Sequence, residues 1–313
     1  MSSIATLTLN PAIDKNTRVE RVVAEEKLRC DTPTREPGGG GINVSRAIHR
    51  LGGSAHTLYT AGGFTGNLLN DLLDAEDLDH TPISTAAMTR ENMIVYETST
   101  DRQFRFGMPG PELTTAEWDE CLNALRALDP SPDYLVASGS LPPGLSDDAY
   151  AAVADVAHSL GARPILDTSG SALYQARTAG WYLLKPNLRE LEQLTGHSLV
   201  SDSQRIEAAR EMIDDGYCEI VVLSMGASGA LLITADRAEH VRSPTVPIKS
   251  RVGAGDSMVG GLTLALAREA PLPRAVRYGV AAGAAAVMTP GTELCRQADV
   301  ETLFDQMTSE HNA

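Results

Sequence analysis

The sequence has few basic side chains, few cysteines and no long apolar run, and each shortage excludes a class of protein. Lysine and arginine number 26 against 41 aspartate and glutamate residues, so the formal net charge is −15. This charge opposes contact with the phosphates of nucleic acid, and no nucleic-acid partner is expected. The cysteines include no CxxC pair, which argues against a zinc or redox site; they are Cys30, Cys121, Cys218 and Cys295.

The longest weakly polar stretch, YGVAAGAAAVM at 278–288, has about half the length of a membrane span. The N-terminal MSSIATLTLN lacks the basic region and apolar core of a secretion signal. We therefore expect a cytoplasmic protein with no membrane partner. Its 313 residues are 42% hydrophobic and 21% charged, which allows a large buried core.

Short apolar runs alternate with longer segments of helical periodicity. In the segment 42–52, apolar residues recur at the i, i+3, i+4, i+7 spacing of a buried helix face, and 147–161 is also helix-like. The strand-like runs are 4–10, 134–140, 163–170, 181–187 and 219–226. Apolar strands that each end in small or polar residues predict an α/β fold with a mostly parallel sheet and helices on both faces.

Two stretches interrupt this alternation. Residues 15–35 and 92–108 read as strands of alternating polarity, and the second predicts a hairpin around Ser99, Thr100 and Asp101. We interpret them as a small β lid, formed by about 15–35 and 89–108, within a single domain of residues 1–313. A flap of this size is too small to be stable alone, so it should pack on the core or on a second subunit.

A single carboxylate, Asp256, follows two glycines at the start of an apolar helical segment. The first turn of a helix has unpaired amides and the positive end of the helix dipole, and glycine lets an anion approach the backbone closely. The motif Gly253-Ala254-Gly255 therefore predicts an anion hole with a carboxylate beside it. The alternative is that Asp256 only caps the helix.

Three further clusters of small and polar residues adjoin apolar elements: PGGGGINV (37–44), KPNLRE (185–190) and SMGASG (224–229). Strand ends of a parallel sheet meet at one edge, so these clusters predict one ligand crevice. Neither GxGxxG nor GxxxxGK[ST] occurs around the glycines, which disfavours a dinucleotide-binding Rossmann unit and a P-loop.

The segments GGGGINVSRAIHRLGG, KPNLRE and VGAGDSMVGG resemble the ribokinase-like carbohydrate kinases of the PfkB family. The resemblance runs from TLTLNPAID to GTELC and covers nearly the whole chain. It implies a ribokinase-like three-layer α/β/α sandwich with a mostly parallel central sheet and a small β lid, with ATP and Mg²⁺ as cofactors. TLTLNPAID, EEKLRC, PGGGGINV, SGSLPPG and VGAGDSMVG together are most similar to the family's 6-phosphofructokinases, which implies fructose 6-phosphate as the acceptor.

The resemblance implies that Asp256 is the base for the attacking sugar hydroxyl, while the amides of Gly253, Ala254 and Gly255 stabilise the transferred phosphoryl group. Asn187 and Glu190 match an NxxE element that organises magnesium and the ATP phosphates. Taken alone, Glu190 also reads as an ordinary acidic residue in the first turn of a helix. The other nucleotide-binding residues that the resemblance implies are Lys185, Ser224, Gly226 and Gly229.

On the acceptor side, the resemblance assigns two functions to residues of the N-terminal half. Lys27 and Arg90 are the candidates for the sugar's own phosphate, and Arg29 is expected to reach across a dimer; for each of them a solvated surface charge is the alternative. The residues expected to contact the sugar are Asp14, Gly38, Gly39, Asn43, Ser138 and Ser140, with no basis for choosing between the two serines.

Two residues depart from the family pattern. Arg251 stands where a threonine is usual, and Glu293 stands where a relative carries a basic residue. Both flank the loop that holds a monovalent cation in relatives, so potassium activation (K⁺) is left open here.

Several alternatives for function and assembly stay open from the sequence. Tagatose 6-phosphate or fructose 1-phosphate are alternative acceptors, and a non-catalytic nucleotide or sugar-phosphate sensor is the alternative outside enzymes. The predicted lid has apolar residues that a monomer would expose, which predicts a homodimer through the lid. Those residues are Val19, Val22, Val23, Met93 and Val95.

Overall fold

A computed structural model describes residues 2–311 of the chain. The strands are β1 (Ile4–Thr8), β2 (Ala12–Val19), β3 (Thr34–Gly38), β4 (His56–Gly62), β5 (His80–Thr85), β6 (Arg90–Glu97), β7 (Arg102–Phe106), β8 (Tyr134–Ser138), β9 (Arg163–Asp167), β10 (Trp181–Leu184), β11 (Cys218–Ser224), β12 (Ala230–Ile233) and β13 (Ala238–Val241). The α-helices are α1 (Gly40–Arg50), α2 (Gly63–Asp74), α3 (Thr115–Arg126), α4 (Ala149–Ser159), α5 (Gly170–Ala176), α6 (Leu188–Thr195), α7 (Asp202–Asp214), α8 (Ala254–Ala267), α9 (Leu272–Val287) and α10 (Gln297–His311).

The main sheet has nine strands in the order β13-β12-β11-β10-β9-β8-β1-β4-β5. All neighbours are parallel except the pairs β11–β12 and β12–β13. Every predicted strand-like run of the core is a strand of this sheet, and the predicted helices 42–52 and 147–161 correspond to α1 and α4. The expectation of a mostly parallel sheet is confirmed.

Alternate residues of the sheet enter two separate hydrophobic cores. Ile4 of β1 packs with α1, α8, α9 and α10 on one face, while Ala5 packs with helices α3 to α7 on the other. The same alternation holds for Leu135 and Val136 of β8. Because both faces are covered, the core strands are apolar at nearly every position, as expected for a buried parallel sheet. The architecture is the predicted three-layer α/β/α sandwich.

The lid is a separate four-stranded sheet in the order β3-β2-β6-β7. β6 and β7 form the predicted hairpin, with Met93 opposite Phe106. The strand prediction for 15–35 is wrong in its middle, because residues 20–33 lie outside any strand. This segment is largely exposed and includes Glu25 at φ 62°, a backbone conformation that does not continue a strand.

The predicted apolar patch of the lid also needs correction. Val19 and Val95 are buried by the chain itself, and Val22 and Val23 are partly buried. Met93 is exposed as predicted, and Phe106 across from it and the nearby Met108 are exposed too. The apolar surface therefore lies on a different set of side chains. Among residues 2–311, no helix combines the length and the apolar character that crossing a bilayer requires.

Candidate active site

Helix α8 begins at the glycine motif, and its N-cap residue is Gly253, in the left-handed conformation (φ 73°). Only glycine adopts this φ without strain, so the motif fixes where the helix starts. No side chain caps the helix. The amides of Ala254, Gly255 and Asp256 donate to no acceptor among the residues that the structure describes. These three donors are therefore free for an anion.

Asp256 does not cap its own helix. Its carboxylate Oδ2 accepts a hydrogen bond of 2.8 Å from Asn43 Nδ2, which lies on α1. The pKa of Asp256 is raised to about 7: burial and the Asp167 carboxylate raise it, while the bond from Asn43 and the charge of Lys185 oppose the shift. A general base works best with a pKa near the working pH, and this carboxyl group meets that condition.

A buried ion pair lies beside the glycine motif. Lys185 Nζ is 3.1 Å from Asp167 Oδ1, and both side chains are largely buried at the ends of the neighbouring strands β10 and β9. A β-carbon at Gly255 would lie 3.7 Å from Lys185 Nζ and 4.0 Å from Asp167 Oδ2. The ammonium group is thus placed to attract phosphate oxygens held by the loop amides.

Asp167 is a site residue that the sequence analysis missed. It directly follows the apolar residues of β9, as Lys185 follows those of β10. The rule that polar residues at strand ends meet at one sheet edge applies to it equally, but the surrounding RPILDTSG carries no glycine motif that marks a loop of this site.

Asn187 and Glu190 form a capping box at the start of α6. Asn187 Oδ1 accepts from the Glu190 amide at 2.9 Å, and Glu190 Oε2 accepts from the Asn187 amide at 2.8 Å. Glu190 therefore does act as a first-turn capping residue of α6, through its Oε2. Its other carboxylate oxygen, Oε1, takes no part in the capping box. Burial raises the pKa of Glu190, which the Asn187 amide and Lys185 counteract.

A cavity of about 680 Å³ opens beside the glycine motif. The predicted nucleotide residues Ser224, Gly226 and Gly229 line it, together with Ala254 and Gly255 of the motif. Most of its remaining wall is apolar: Met225, Val246, Ile248, Met258, Val280, Ala284 and Val287. A cavity with an apolar wall and free amides at one end suits a flat base joined to phosphates.

The acceptor side is built from charged and polar side chains. Asp14 on β2 is buried and accepts a hydrogen bond of 2.9 Å from Asn92 Nδ2 on β6. A β-carbon at Gly38 would lie 2.6 Å from Asp14 Oδ2, so the glycine loop packs directly against this carboxylate. Burial raises the pKa of Asp14, and Arg105 and Arg90 counteract this. Asn43 and Asp256 complete the group.

The structure distinguishes the two candidate serines. Ser138 is buried, and its Oγ would lie 2.3 Å from a β-carbon at Gly40, so the glycine loop covers it. Ser138 thus packs against the loop, and its contact with the sugar stays a prediction. Ser140 is exposed and its Oγ accepts from Asn10 Nδ2 at 3.1 Å.

The three predicted basic residues differ in their surroundings. Arg90 donates from Nε, Nη1 and Nη2 to the backbone carbonyls of Pro11, Met108 and Asn10, at 3.3, 2.9 and 2.8 Å. It ties the lid to the core and keeps two N–H groups free. Lys27 and Arg29 are exposed in the segment 20–33 and make no hydrogen bond or ion pair with residues 2–311. Arg105, which lowers the pKa of Asp14, is a further candidate that the site assignment omitted.

The departures from the family pattern lie on either side of the glycine motif. Arg251 is exposed at the cavity wall. The Glu293 carboxylate pairs with Arg296 at 2.7 Å, away from the cavity. Ser250 Oγ donates to the Gly291 carbonyl at 2.7 Å and accepts from the Val252 amide at 3.2 Å, which joins the two segments directly.

Curated relatives match nearly the full length of the chain. An "ATP-dependent 6-phosphofructokinase isozyme 2" of Mycobacterium tuberculosis is 46% identical over 302 residues, which cover 96% of this chain and 89% of the relative. The protein of the same name from Escherichia coli is 41% identical over 305 residues, which cover 97% and 98%.

Solved structures of phosphofructokinase-2 from E. coli have the same fold. The complex with potassium has a TM-score of 0.94 at 40% identity, and the complex with fructose-6-phosphate has 0.93 at 39%; both cover 98% of this chain and 100% of the other. A tetrameric inhibited form of that protein also matches, with a TM-score of 0.93. The family described as "pfkB family carbohydrate kinase" matches residues 7–299, and the chain belongs to this family.

Proposed function

We propose that the protein transfers the γ-phosphate of ATP to the free primary hydroxyl of fructose 6-phosphate. One observation carries the proposal: Asp256, with its pKa near 7, lies next to three free amides, between an apolar cavity and a polar wall. A base directed at an acceptor beside an anion hole suits phosphoryl transfer. The acceptor is chosen because the relatives above carry the name 6-phosphofructokinase.

Asp256 takes the proton of the attacking hydroxyl, and Asn43 holds the carboxylate in position through its 2.8 Å bond. Phosphoryl transfer has a loose transition state, so position matters more than basicity. The amides of residues 254–256 and the ammonium of Lys185 face the negative charge on the transferred group. Asp14 accepts from a sugar hydroxyl on the opposite wall.

Oxygen donors near the glycine motif fit Mg²⁺ bound with the nucleotide. Residues 2–311 contain no cluster of three or more acidic, histidine or cysteine side chains arranged to hold a metal. Mg²⁺ keeps much of its water shell and binds phosphates, so the free oxygen of Glu190 with Asn187 is a sufficient protein contribution. When bound, the ion neutralises charge on the β- and γ-phosphates.

We also propose that K⁺ binds between the segments joined by Ser250 and Gly291. Backbone carbonyls would hold it, since the Glu293 side chain is paired with Arg296. A potassium complex of the E. coli protein supports this. The test exchanges potassium for tetramethylammonium in a turnover assay, and equal turnover in both would refute it.

The acceptor is tested by ADP release across a panel of phosphosugars. We expect the highest kcat/KM with fructose 6-phosphate, above tagatose 6-phosphate and fructose 1-phosphate. A preference for fructose 1-phosphate would assign the protein to the activity named for its 1-phosphofructokinase relatives, such as that of Bacillus subtilis at 32% identity. If no acceptor in the panel gives ADP release, the remaining interpretation is a non-catalytic nucleotide or sugar-phosphate sensor.

For assembly we propose a homodimer that packs through the lid. Met93 and Phe106, opposite one another on β6 and β7, are both nearly half exposed at 44% and 46%. Adjacent exposed apolar side chains are typical of an interface. A partner lid would also bring the exposed Arg29 to a second crevice. Light scattering that shows a monomer at micromolar concentration would refute the dimer.

A further inference from the structure

Arg46 is a fully buried arginine on α1, with 1% of its surface exposed. It lies one helical turn after Asn43 and close to, but outside, the crevice. Its Nε donates to both carboxylate oxygens of Glu76, at 3.1 and 2.8 Å, and its Nη2 donates to Glu76 Oε1 at 2.6 Å. Glu36 lies 4.0 Å away. A paired carboxylate accounts for the burial of this charge.

The remaining nitrogen of Arg46 points toward the acceptor side. Nη1 donates to the Pro37 carbonyl at 3.0 Å and to Asn43 Oδ1 at 3.4 Å. Pro37 precedes the glycine loop that packs on Asp14, and Asn43 holds Asp256. One side chain thus touches both segments that build the acceptor wall.

The contacts on either side of Asn43 fix its amide orientation. A guanidinium only donates, so the carbonyl oxygen of the amide must face Arg46. An ionised carboxylate only accepts, so the amide nitrogen must face Asp256. Without Arg46, the amide could turn over and place its oxygen against the carboxylate.

We propose that Arg46 is a positioning residue for the reaction: held by Glu76, it fixes the Asn43 amide so that Nδ2 faces the Asp256 carboxylate. The proposal rests on the proposed function, because it gives Asp256 the role of base. A reversed amide would favour the protonated carboxyl group, which cannot accept the proton of the sugar hydroxyl.

The other charged groups around Asp256 belong to different elements, and Arg46 forms an ion pair with none of them; its neighbour Glu36 raises the pKa of Asp14. Asp167 at the end of β9 and Asp14 on β2 raise its pKa, and Lys185 after β10 lowers it. The charge of Glu190 on α6 raises the pKa of Lys185, and the charges of Arg90 and Arg105 of the lid lower the pKa of Asp14. A change in the pH profile of an Arg46 variant therefore reports on Asn43.

The experiment measures kcat against pH, KM for the sugar phosphate and the urea midpoint for Arg46→Met, Arg46→Lys and the double variant Arg46→Met with Glu76→Gln. We expect kcat to fall by about 10-fold or more, by analogy with the residues that orient metal ligands in other proteins. We also expect the acid limb of the profile to move to higher pH by about half a unit or more in all three.

Stability separates this role from simple ion pairing. The double variant no longer leaves the partly buried Glu76 unpaired, so it should regain part of the urea midpoint while its acid limb stays displaced. The proposal is overturned if the acid limb of the pH profile returns to its wild-type position in the double variant as stability is regained. It is also overturned if the acid limb moves in none of the variants. Lysine retains the charge opposite Glu76 and keeps the test valid if Arg46→Met does not fold.

Arg277→Met is the matched control. Arg277 is 12% exposed and pairs with Glu239 at 3.4 Å, away from the reacting groups. It should lose stability with no shift of the acid limb. The wild-type protein supplies the baseline: if it releases no ADP with any sugar phosphate, the proposed function fails, whereas an active wild type with an unmoved limb refutes only the role of Arg46.

Discussion

The two walls of the crevice are built by different means. The nucleotide side consists of free backbone amides, small residues and an apolar cavity, and its one buried charge pair lies behind the glycine motif. The acceptor side consists of side chains that hold one another, from Glu76 through Arg46 and Asn43 to Asp256. The first wall should therefore tolerate side-chain changes better than the second.

The largest effect is expected where the two walls meet. Asp256→Asn preserves shape and removes the base, so kcat should fall by about 10² or more with little change in KM for either substrate. Steady-state ADP release measures both parameters. Turnover close to that of the wild type would mean that the carboxylate is not the base.

Variants of the Lys185–Asp167 ion pair test whether the nucleotide side of the crevice depends on any side chain. Lys185→Met leaves the Asp167 carboxylate buried without its partner, which should cost about 3–5 kcal/mol of unfolding free energy. Adding Asp167→Asn should restore part of the stability, as measured by urea denaturation.

Turnover separates the structural and catalytic roles of Lys185. We expect kcat to stay at least about 10-fold low in the double variant, because one charge facing the phosphates is gone. If turnover recovers with stability, the lysine serves the fold alone.

Arg251 tests the tolerance of the nucleotide side more gently. It is an exposed cation on the wall of a cavity proposed to hold a polyanion. Arg251→Thr should raise KM for ATP by about 2- to 5-fold, as for an exposed charge contact, and leave kcat and KM for the sugar unchanged. Arg251→Lys should show a smaller rise. An unchanged KM in both variants would show that the side chain faces away from the nucleotide.

The smallest effect concerns stability. The pKa of Asp256 is raised from 3.8 to about 7, so the folded protein binds this proton more tightly than the unfolded chain. The resulting stability is present at low pH and lost as pH rises through about 7. Asp256→Asn, which cannot ionise, should gain melting temperature relative to the wild type by about 3 °C between pH 5.5 and 8.5. A constant difference across that range would contradict the raised pKa.

The sequence predicts the nucleotide side better than the acceptor side. Glycines before α8 and small or polar residues at the ends of β10 and β11 mark backbone positions, and the topology of a parallel sheet then brings them to one edge. Arg46 and Glu76 are 30 residues apart and belong to different elements, and no local pattern indicates that they pair. The one local indication is the i+3 spacing of Asn43 and Arg46 on α1, which makes their side chains neighbours on the helix surface.

The lid shows the same limit. Alternating polarity in 15–35 predicted strands, but whether a strand forms depends on a neighbour to pair with. β2 has partners on both sides, whereas residues 20–33 have none. Burial of Val19 and Val95 follows from tertiary packing, which the pattern alone does not encode.

The lid is anchored at a second point besides Arg90, through its strands β2 and β3. Asn16 Nδ2 on β2 donates to Glu36 Oε2 on β3 at 2.8 Å, and the Thr292 hydroxyl bonds to the same carboxylate. Thr292 follows Gly291, whose carbonyl holds Ser250 just before α8. Strands β2 and β3 are thus linked to the segment just before α8. We expect the exchange of sugar to depend on the end of the β6–β7 hairpin that lies away from Arg90, so a partner that binds that end would change the exchange rate.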